Sequence, residues 1–254
     1  NEKPNDASAR YARMVLMESL VKNRRGYRLG VPELPQYDLI GKAAQNWLES
    51  NGCEIRLLSR VVRVNREDGR ARWLEIASGE RLVFDAIVAA VPPHALPRLG
   101  LDAHGGERLG WRPIVSVHLI YDRPMPPLEP TCVVGKPFGW VFSKRPNEGY
   151  VEVVGSAAGG LIGQDNDELI ALARRSAAAV DPEFAHVPIR RGIVCRVRRA
   201  TFATLACDIH RPAVQTFTPN LFLAGDWTNT AWPATIESAV RSGRAAAKAL
   251  LEVV

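Results

Sequence analysis

The sequence has few residues that bind metals or form disulfides, and these few are scattered. Four cysteines occur among 254 residues without any C-x-x-C pair, at Cys53, Cys132, Cys195 and Cys207. The five histidines show no H-x-x-x-H spacing. This spacing argues against a zinc site and against a disulfide framework, and it fits a reducing compartment. We therefore predict no metal site and a cytoplasmic protein.

Long apolar runs are also missing. No stretch reaches the roughly 18 apolar residues that span a bilayer. The polar opening NEKPNDASARYAR does not resemble a signal peptide. The chain is 46% hydrophobic and 24% charged, as expected of a soluble globular protein with one large or two modest cores.

The net charge is +6, but the arginines that carry it are dispersed along the chain. We predict no nucleic-acid partner. The densest cluster contains Arg190, Arg191, Arg196, Arg198 and Arg199. Such a cluster is more often a solvated strand face. The alternative is a surface that meets phosphates or an anionic membrane.

The first part of the chain predicts two helices and a β-meander. Apolar spacing predicts helices over residues 6–23 and 36–51, the second closed by a left-handed Gly52. Asp68-Gly69 and Ser78-Gly79 are hairpin signals between alternating runs. The predicted strands cover residues 54–58, 61–65, 72–77, 82–84 and 86–91.

The middle of the chain predicts an antiparallel sheet followed by a surface helix. Strand-forming runs cover residues 114–122, 132–134, 139–144, 150–155 and 190–199, and the helix covers 167–180. The glycine-rich stretch Gly155–Gly160 is not expected to bind phosphate. The next helix begins only after Asp165 or Asn166, whereas a dinucleotide loop needs its helix to start inside the glycine motif.

The last 36 residues, 219–254, predict a strand, a turn and a helix. The apolar run 220–224 ends at Gly225, a polar loop follows, and Pro233 is predicted to open the helix. Its predicted apolar face contains Ile236, Ala239, Val240, Gly243, Ala247, Leu250 and Leu251. A helix start offers free N–H donors to an anionic ligand, and Asp226 can accept hydrogen bonds from hydroxyls. The alternative is an ordinary terminal strand–helix unit.

The segment GDWTNTAWPATIESAVRSGRAAA resembles the C-terminal flavin signature of the flavin-containing amine oxidase and phytoene desaturase superfamily. Within this segment, the motif Trp-Pro-Ala-Thr-Ile-Glu is most similar to the hydroxysqualene dehydroxylase family. The resemblance implies an FAD cofactor, with Gly225 and Asp226 against the ribityl and pyrophosphate groups. It also implies that Thr235 and Ile236 offer N–H groups to the flavin ring, where the helix dipole would stabilise the anionic reduced form.

Two further contacts follow from the resemblance. The Arg-Val-Val-Arg-Val strand is similar to one that passes the FAD adenine, which implies a backbone contact from Val61. Trp232, in the loop before the last helix, is included among the flavin contacts. Without the resemblance, a valine in a strand and a tryptophan in a loop would suggest nothing beyond packing.

Two motifs of the predicted antiparallel sheet, Pro-Ile-Val-Ser-Val-His-Leu and Gly-Trp-Val-Phe, also resemble the dehydroxylase family. In that family the corresponding sheet borders an apolar substrate cavity. That implies a cavity lined by Val117, Leu119, Tyr121, Trp140 and Phe142. The alternative is plain core, the usual place of aromatic and branched residues in strands.

The expected fold is mixed, α+β with α/β elements. It combines a partial, Rossmann-like FAD-binding domain bearing the β-meander with an antiparallel-sheet substrate domain carrying helices. The first domain is predicted over 53–95 and 213–254, the second over 1–52 and 96–212. The superfamily's strand–G-x-G-x-x-G–helix fingerprint is absent. We therefore expect the C-terminal part of a longer protein, whose N-terminal FAD-binding segment is its missing partner.

The resemblance implies an FAD-dependent oxidoreductase that acts on an apolar polyisoprenoid, with peripheral contact to the inner membrane face. The reaction it implies is reductive loss of the hydroxyl of hydroxysqualene. A carotenoid desaturase, a flavin amine oxidase with Trp227 and Trp232 as its aromatic pair, and a non-enzymatic prenyl-binding relative remain alternatives. No residue spacing identifies a catalytic acid or base.

Overall fold

The computed structural model describes residues 2, 6–205 and 210–253, and Cys207 lies outside them. The chain divides into two compact units. We call them the meander unit, with residues 8–108 and 206–254, and the sheet unit, with residues 1–7 and 109–205. None of the described helices is long and apolar enough to cross a bilayer.

The meander unit contains the predicted β-meander. Strands β1 (Val61–Glu67), β2 (Arg70–Ile76) and β3 (Arg81–Val83) pair antiparallel in chain order. Asp68 and Gly69 both have positive φ, at 50° and 73°, as a two-residue type I′ hairpin turn requires. This confirms the Asp-Gly prediction.

The prediction of a strand over residues 54–58 is wrong. The segment turns at Leu57 and Leu58, where Leu58 has a φ of 56°, and no described strand pairs with it. Both leucine side chains are exposed. Local strand propensity does not form a strand where no partner edge is within reach.

A parallel pair, β4 (Ile87–Ala89) with β10 (Leu221–Leu223), lies beside the meander. Asn220 joins these strands to β2. Its side chain accepts a hydrogen bond from the N–H of Ala71 at 2.9 Å and donates to the carbonyls of Ala71 and Asp85, each at 2.7 Å. Asn220 is 2% exposed, so its buried side-chain amide links these strands to β2 through hydrogen bonds within the protein.

Two predicted helices are present in the meander unit, each with one π-helical end. Helix α1 (Ala9–Leu16) continues as a π-helix over Met17–Val21, and α2 (Lys42–Ser50) is preceded by one over Tyr37–Gly41. Gly52 adopts the predicted left-handed conformation, with a φ of 76°. None of these helical residues is buried.

Helix α5 (Ile236–Leu251) packs on β10 with a face other than the predicted one. The buried side chains are small: Ser238, Ser242, Ala246 and Ala249. The predicted apolar face is largely exposed, since Ile236 is 54%, Val240 50% and Leu251 78% accessible. Small side chains allow the helix to approach Phe222 and Ala224 closely.

The sheet unit confirms the predicted antiparallel sheet. Its five strands lie in the order β6-β7-β8-β5-β9, and every neighbouring pair is antiparallel. They are β5 (Trp111–Tyr121), β6 (Thr131–Cys132), β7 (Trp140–Arg145), β8 (Tyr150–Gly155) and β9 (Ile189–Phe202).

Helices α3 (Asn166–Ala178) and α4 (Glu183–His186) complete the core on one face of this sheet. The Asp165 carboxylate caps α3 by accepting from the N–H of Glu168 at 2.8 Å. Helix α3 therefore begins after the Gly155–Gly160 stretch, as predicted.

The two units do not follow the predicted domain boundaries in every segment. Residues 8–52, 96–108 and 206–212 belong to the meander unit, whereas the sequence suggested the substrate domain. Leu96 is fully buried in the 3₁₀ helix Pro93–Leu99, which packs against β1. A cofactor role for one unit and a substrate role for the other remain predictions.

Replacing Asn220 by alanine is expected to lower the free energy of unfolding by about 2–4 kcal/mol. The N–H and carbonyl of Ala71, which are buried, and the part-buried carbonyl of Asp85 would lose their hydrogen-bond partner. Urea unfolding measures the change. Asn147→Ala, at an exposed site, serves as the control and should stay within about 0.5 kcal/mol. Equal effects of the two substitutions would contradict the bridging role of Asn220.

Candidate cofactor site at the end of strand β10

The turn after β10 requires a glycine. Gly225 has a φ of 148°, and an added Cβ would lie 2.4 Å from Nε1 of Trp227. Its N–H donates to the Ser242 hydroxyl at 2.8 Å, and its carbonyl accepts from the N–H of Thr228 at 3.1 Å. The sequence therefore specifies a backbone that a ligand can approach without meeting a side chain at this residue.

The loop after this turn is organised by Arg211, which is 6% exposed. Its guanidinium donates to the carbonyls of Asp226 and Trp232, and to that of Trp227 at 3.3 Å. It also donates to the Tyr11 hydroxyl at 3.0 Å. Burial lowers the pKa of Arg211. Because one buried cation binds three carbonyls, residues 226–232 form a fixed loop.

Helix α5 begins three residues later than predicted. Thr235 has extended φ and ψ, and its hydroxyl accepts from the N–H of Ser238 at 3.2 Å, so it is the N-cap. Pro233 therefore precedes the helix and does not open it. The first turn leaves the N–H groups of Ile236 and Glu237 without intrahelical acceptors. Of these two donors only Ile236 was predicted, together with Thr235, which is the cap. The positive end of the helix dipole lies here, and a contact with a cofactor remains a prediction.

Ser238 joins the start of α5 to the loop. Its hydroxyl donates to the carbonyl of Asp226 at 3.0 Å and lies 2.6 Å from the Thr230 hydroxyl. Together with the bond from Gly225 to Ser242, it fixes the helix start against the strand end. Gly225, Asp226, Thr235 and Ile236 are thus held within one hydrogen-bonded assembly.

The Asp226 carboxylate is half-buried in this loop. Burial raises its pKa, while the nearby Arg211 and the N–H groups of Asp226 and Trp227 act in the opposite direction. A carboxylate in this position costs folding free energy at neutral pH, which suggests a role other than stability. It can accept hydrogen bonds from ligand hydroxyls.

The two tryptophans of the loop have different surroundings. The half-buried Trp232 ring lies under the guanidinium of Arg241, whose Cζ is 4.5 Å from the ring centroid. Trp227 is 2% exposed and donates from Nε1 to the Val91 carbonyl at 3.1 Å. Trp227 is therefore a core residue, and its assignment to an aromatic pair beside a flavin is wrong.

Val61 lies elsewhere in the meander unit, at the start of β1, where it pairs with Ile76. It borders a cavity of about 520 Å³ whose other walls include Arg56, Ser59 and Phe84. Most of the cavity lining is apolar, with Glu54, Arg56 and Ser59 as its polar residues, a composition typical of small-molecule sites.

Sequence reasoning missed Arg211, Ser238 and Ser242 as organisers of the turn. Arg211 contacts residues 15 to 27 positions away along the chain and Tyr11 200 positions away, so no local pattern marks it. The serines carried a signal. They occur four residues apart on one helical face, where hydroxyls can reach a neighbouring backbone.

In the sheet unit, Val117 and Leu119 are fully buried and Tyr121 is 1% exposed. All three side chains belong to the core of the sheet unit. The prediction that Val117 and Leu119 line an open substrate cavity is therefore wrong. Trp140 and Phe142 lie on the other face, with ring centroids 5.9 Å apart. Alternation along the strands separates the two groups.

That other face also carries a cavity of about 740 Å³, bordered by His118, Ile120, Tyr150, Ile193 and Cys195 among others. His118 Nδ1 lies 2.8 Å from the Tyr150 hydroxyl. Burial raises the pKa of Tyr150, and the charge of Glu152 adds to this. The cavity therefore combines apolar side chains and one hydrogen-bonded polar pair with charged side chains, among them Arg123, Arg145 and Arg190.

Comparison with known proteins gives consistent matches. The model of the flavin-containing amine oxidoreductase family matches residues 16–251. The hydroxysqualene dehydroxylases of Sinorhizobium fredii and Rhodopseudomonas palustris are 30% and 32% identical to the chain, covering 96% and 99% of it. The 15-cis-phytoene desaturase of Glycine max is 24% identical over 82% of the chain.

The chain spans 58% and 59% of the length of those two dehydroxylases. Among solved structures, a protein from Exiguobacterium sp. 255-15 assigned as a protoporphyrinogen oxidase is similar, with a TM-score of 0.60 at 19% identity. The match covers 90% of this chain and 55% of that one, and it shows a shared fold.

Asp226→Asn is expected to raise the melting temperature at pH 7. Burial raises the carboxyl pKa, so the charged form destabilises the fold above the folded-state pKa, and this cost disappears as pH falls toward the ordinary value of 3.8. The difference between variant and wild type should shrink accordingly. Thermal melts across this pH range measure it.

Asp122→Asn, at an exposed carboxylate, is the control, and its effect on the melting temperature should be small. A lower melting temperature for Asp226→Asn at pH 7 would contradict a destabilising carboxylate.

Proposed function

The chain belongs to the flavin-containing amine oxidoreductase family, and from this premise we propose that it is the C-terminal part of an FAD-dependent oxidoreductase acting on a polyisoprenoid. The favoured reaction is the reductive dehydroxylation of hydroxysqualene to squalene. Three relatives with 28–32% identity, each covering at least 96% of the chain, carry the name hydroxysqualene dehydroxylase.

The observation that supports the cofactor assignment best is the turn at Gly225. A Cβ at this residue would meet Trp227 at 2.4 Å, so the backbone there stays bare. Beside it lie the Asp226 carboxylate and the first N–H groups of α5. Bare backbone, a hydroxyl acceptor and a positive helix end together match a polyhydroxylated, anionic cofactor.

We assign the contacts as follows. Asp226 would accept hydrogen bonds from ribityl hydroxyls, and the Gly225 peptide would lie against the ribityl–pyrophosphate chain. The N–H of Ile236 would donate to the flavin ring, and Thr235 would cap the helix. Trp232 would lie at the border of the flavin ring. Val61 and its cavity would hold the adenine. Bound FAD supplies hydride chemistry, while these residues orient it and stabilise negative charge.

Three exposed surfaces of the meander unit support a partner segment from the same polypeptide. Strand β4 pairs only with β10 among the described strands, and Val88 on its middle is 38% exposed. Parallel strands are ordinarily covered on both faces and both edges. The apolar side chains of α5 and α2 that face solvent are consistent with the same cover. The partner proposed is the N-terminal FAD-binding segment.

Among the alternatives, a carotenoid desaturase shares the flavin and the apolar substrate, and the phytoene desaturases match at 24% identity. The burial of Trp227 counts against an amine oxidase with a paired aromatic cage. The flavin signature at residues 225–243 counts against a prenyl-binding protein without catalysis.

The reaction is tested with the full-length parent protein purified with its flavin. Hydroxysqualene is supplied with a reductant, because loss of its hydroxyl consumes two electrons. Phytoene and a primary amine are each supplied with an electron acceptor, a quinone or O₂, because their reactions release two electrons. The products are identified by mass spectrometry. We expect squalene from hydroxysqualene and no product from the other two. Desaturated phytoene, or aldehyde from the amine, would replace the proposed substrate class with one of its rivals.

Flavin binding is expected to need the partner segment. The 254-residue chain should bind FAD weakly or not at all, whereas the full-length protein should carry about one flavin per chain. Flavin absorbance after gel filtration measures the occupancy. In the full-length protein, Asp226→Ala should lower FAD affinity at least tenfold, as expected for lost charge-assisted hydrogen bonds. A yellow, stoichiometric complex of the short chain would contradict the dependence on a partner segment.

A further inference from the structure

Residues 9–31 form an exposed surface that is both apolar and basic. We call it the basic segment. It consists of α1, the π-helix Met17–Val21 and the following loop. Its large apolar side chains are 45–66% exposed: Val15, Leu16, Leu20, Val21, Tyr27, Leu29 and Val31. Nothing described in the meander unit covers them.

The loop of the basic segment folds back on its helical part. A Cβ on Gly26 would lie 2.7 Å from the carbonyl of Ser19, so glycine permits a close approach there. The turn continues with a hydrogen bond from the N–H of Gly26 to the Asn23 carbonyl at 3.0 Å. Leu20 and Tyr27, on the two arms, therefore belong to one continuous surface.

The charge of the basic segment is strongly one-sided. It contains six basic residues and a single acidic one, Glu18. Glu18 pairs with Lys22. The remaining five, Arg10, Arg13, Arg24, Arg25 and Arg28, form no ion pair with any carboxylate in the described part of the chain.

A second exposed apolar surface, over residues 37–58, provides a comparison. It includes Tyr37, Ile40 and Trp47, which are 49–64% exposed. Residues 37–58 carry two basic and three acidic groups, a net charge of 2 − 3 = −1. A surface of this composition suits cover by protein. Five unpaired arginines would instead be costly to bury in a protein interface.

We propose that the basic segment docks the protein on an anionic lipid bilayer. Its leucines, valines and Tyr27 would enter the interface, while the arginines meet lipid phosphates. The binding itself does not depend on the proposed reaction. A polyisoprenoid substrate dissolved in the bilayer would, however, be taken up from such a surface.

The test is co-sedimentation of the full-length parent protein with vesicles. One set contains phosphatidylcholine alone, and the other contains phosphatidylglycerol at about a third of the lipid. We expect at least tenfold stronger binding to the anionic set, weakened by added salt. Arg24→Gln/Arg25→Gln should reduce that binding by more than tenfold, at about fivefold for each arginine.

Two further variants complete the test, each first checked by circular dichroism for an unchanged fold. Leu20→Ser/Val21→Ser should also lose more than tenfold, since apolar insertion contributes. Arg198→Gln/Arg199→Gln removes the same charge from the exposed face of β9 and should lose less than twofold. This control also tests the alternative that the arginine cluster of residues 190–199 is the surface that meets the membrane.

Three results would overturn the proposal. Failure of the wild-type protein to bind either vesicle set would leave the basic segment as a surface for protein. An equal loss of binding in the β9 variant and the Arg24/Arg25 variant would move the membrane contact to the sheet unit. Unchanged binding of the Leu20/Val21 variant would exclude insertion. Each result leaves FAD binding and hydroxysqualene turnover unaffected.

Discussion

The candidate site depends on one buried guanidinium. Arg211 binds the carbonyls of Asp226, Trp227 and Trp232, and so it closes the loop between β10 and α5. Breaking such a network leaves several buried acceptors unpaired, and this makes the loop geometry all-or-none. Gly225, before this loop, and the Thr235 cap, after it, are therefore held in fixed positions. The site is therefore a property of the fold before any ligand arrives.

This rigidity explains how a strained and charged corner persists. Gly225 adopts a backbone conformation that side chains avoid, and burial raises the pKa of the Asp226 carboxyl. Neither feature stabilises the protein. Both are useful to a cofactor that brings hydroxyls and negative charge, because the donors and acceptors are already oriented. In the family to which the chain belongs, that cofactor is a flavin.

Local signals in the sequence predicted the elements well, and long-range contacts decided the rest. Asp68-Gly69 specified its hairpin, alternation specified the antiparallel sheet, and Gly225 specified the turn. The buried face of α5 was predicted wrongly because apolar spacing favours Ile236 and Val240, whereas Ser238 and Ser242 bond the turn and face inward. Residues 54–58 have strand propensity but no partner edge. Arg211 could not be found from spacing, since its partners come from distant segments.

The central claim is that the corner formed by Gly225, Asp226 and the start of α5 holds the flavin. The most direct measurement is a crystal structure of the full-length parent protein with FAD bound. The account predicts a ribityl hydroxyl within hydrogen-bond distance of the Asp226 carboxylate and the ring edge at the N–H of Ile236. A flavin bound away from this corner, or a full-length protein that takes up no flavin, would contradict it.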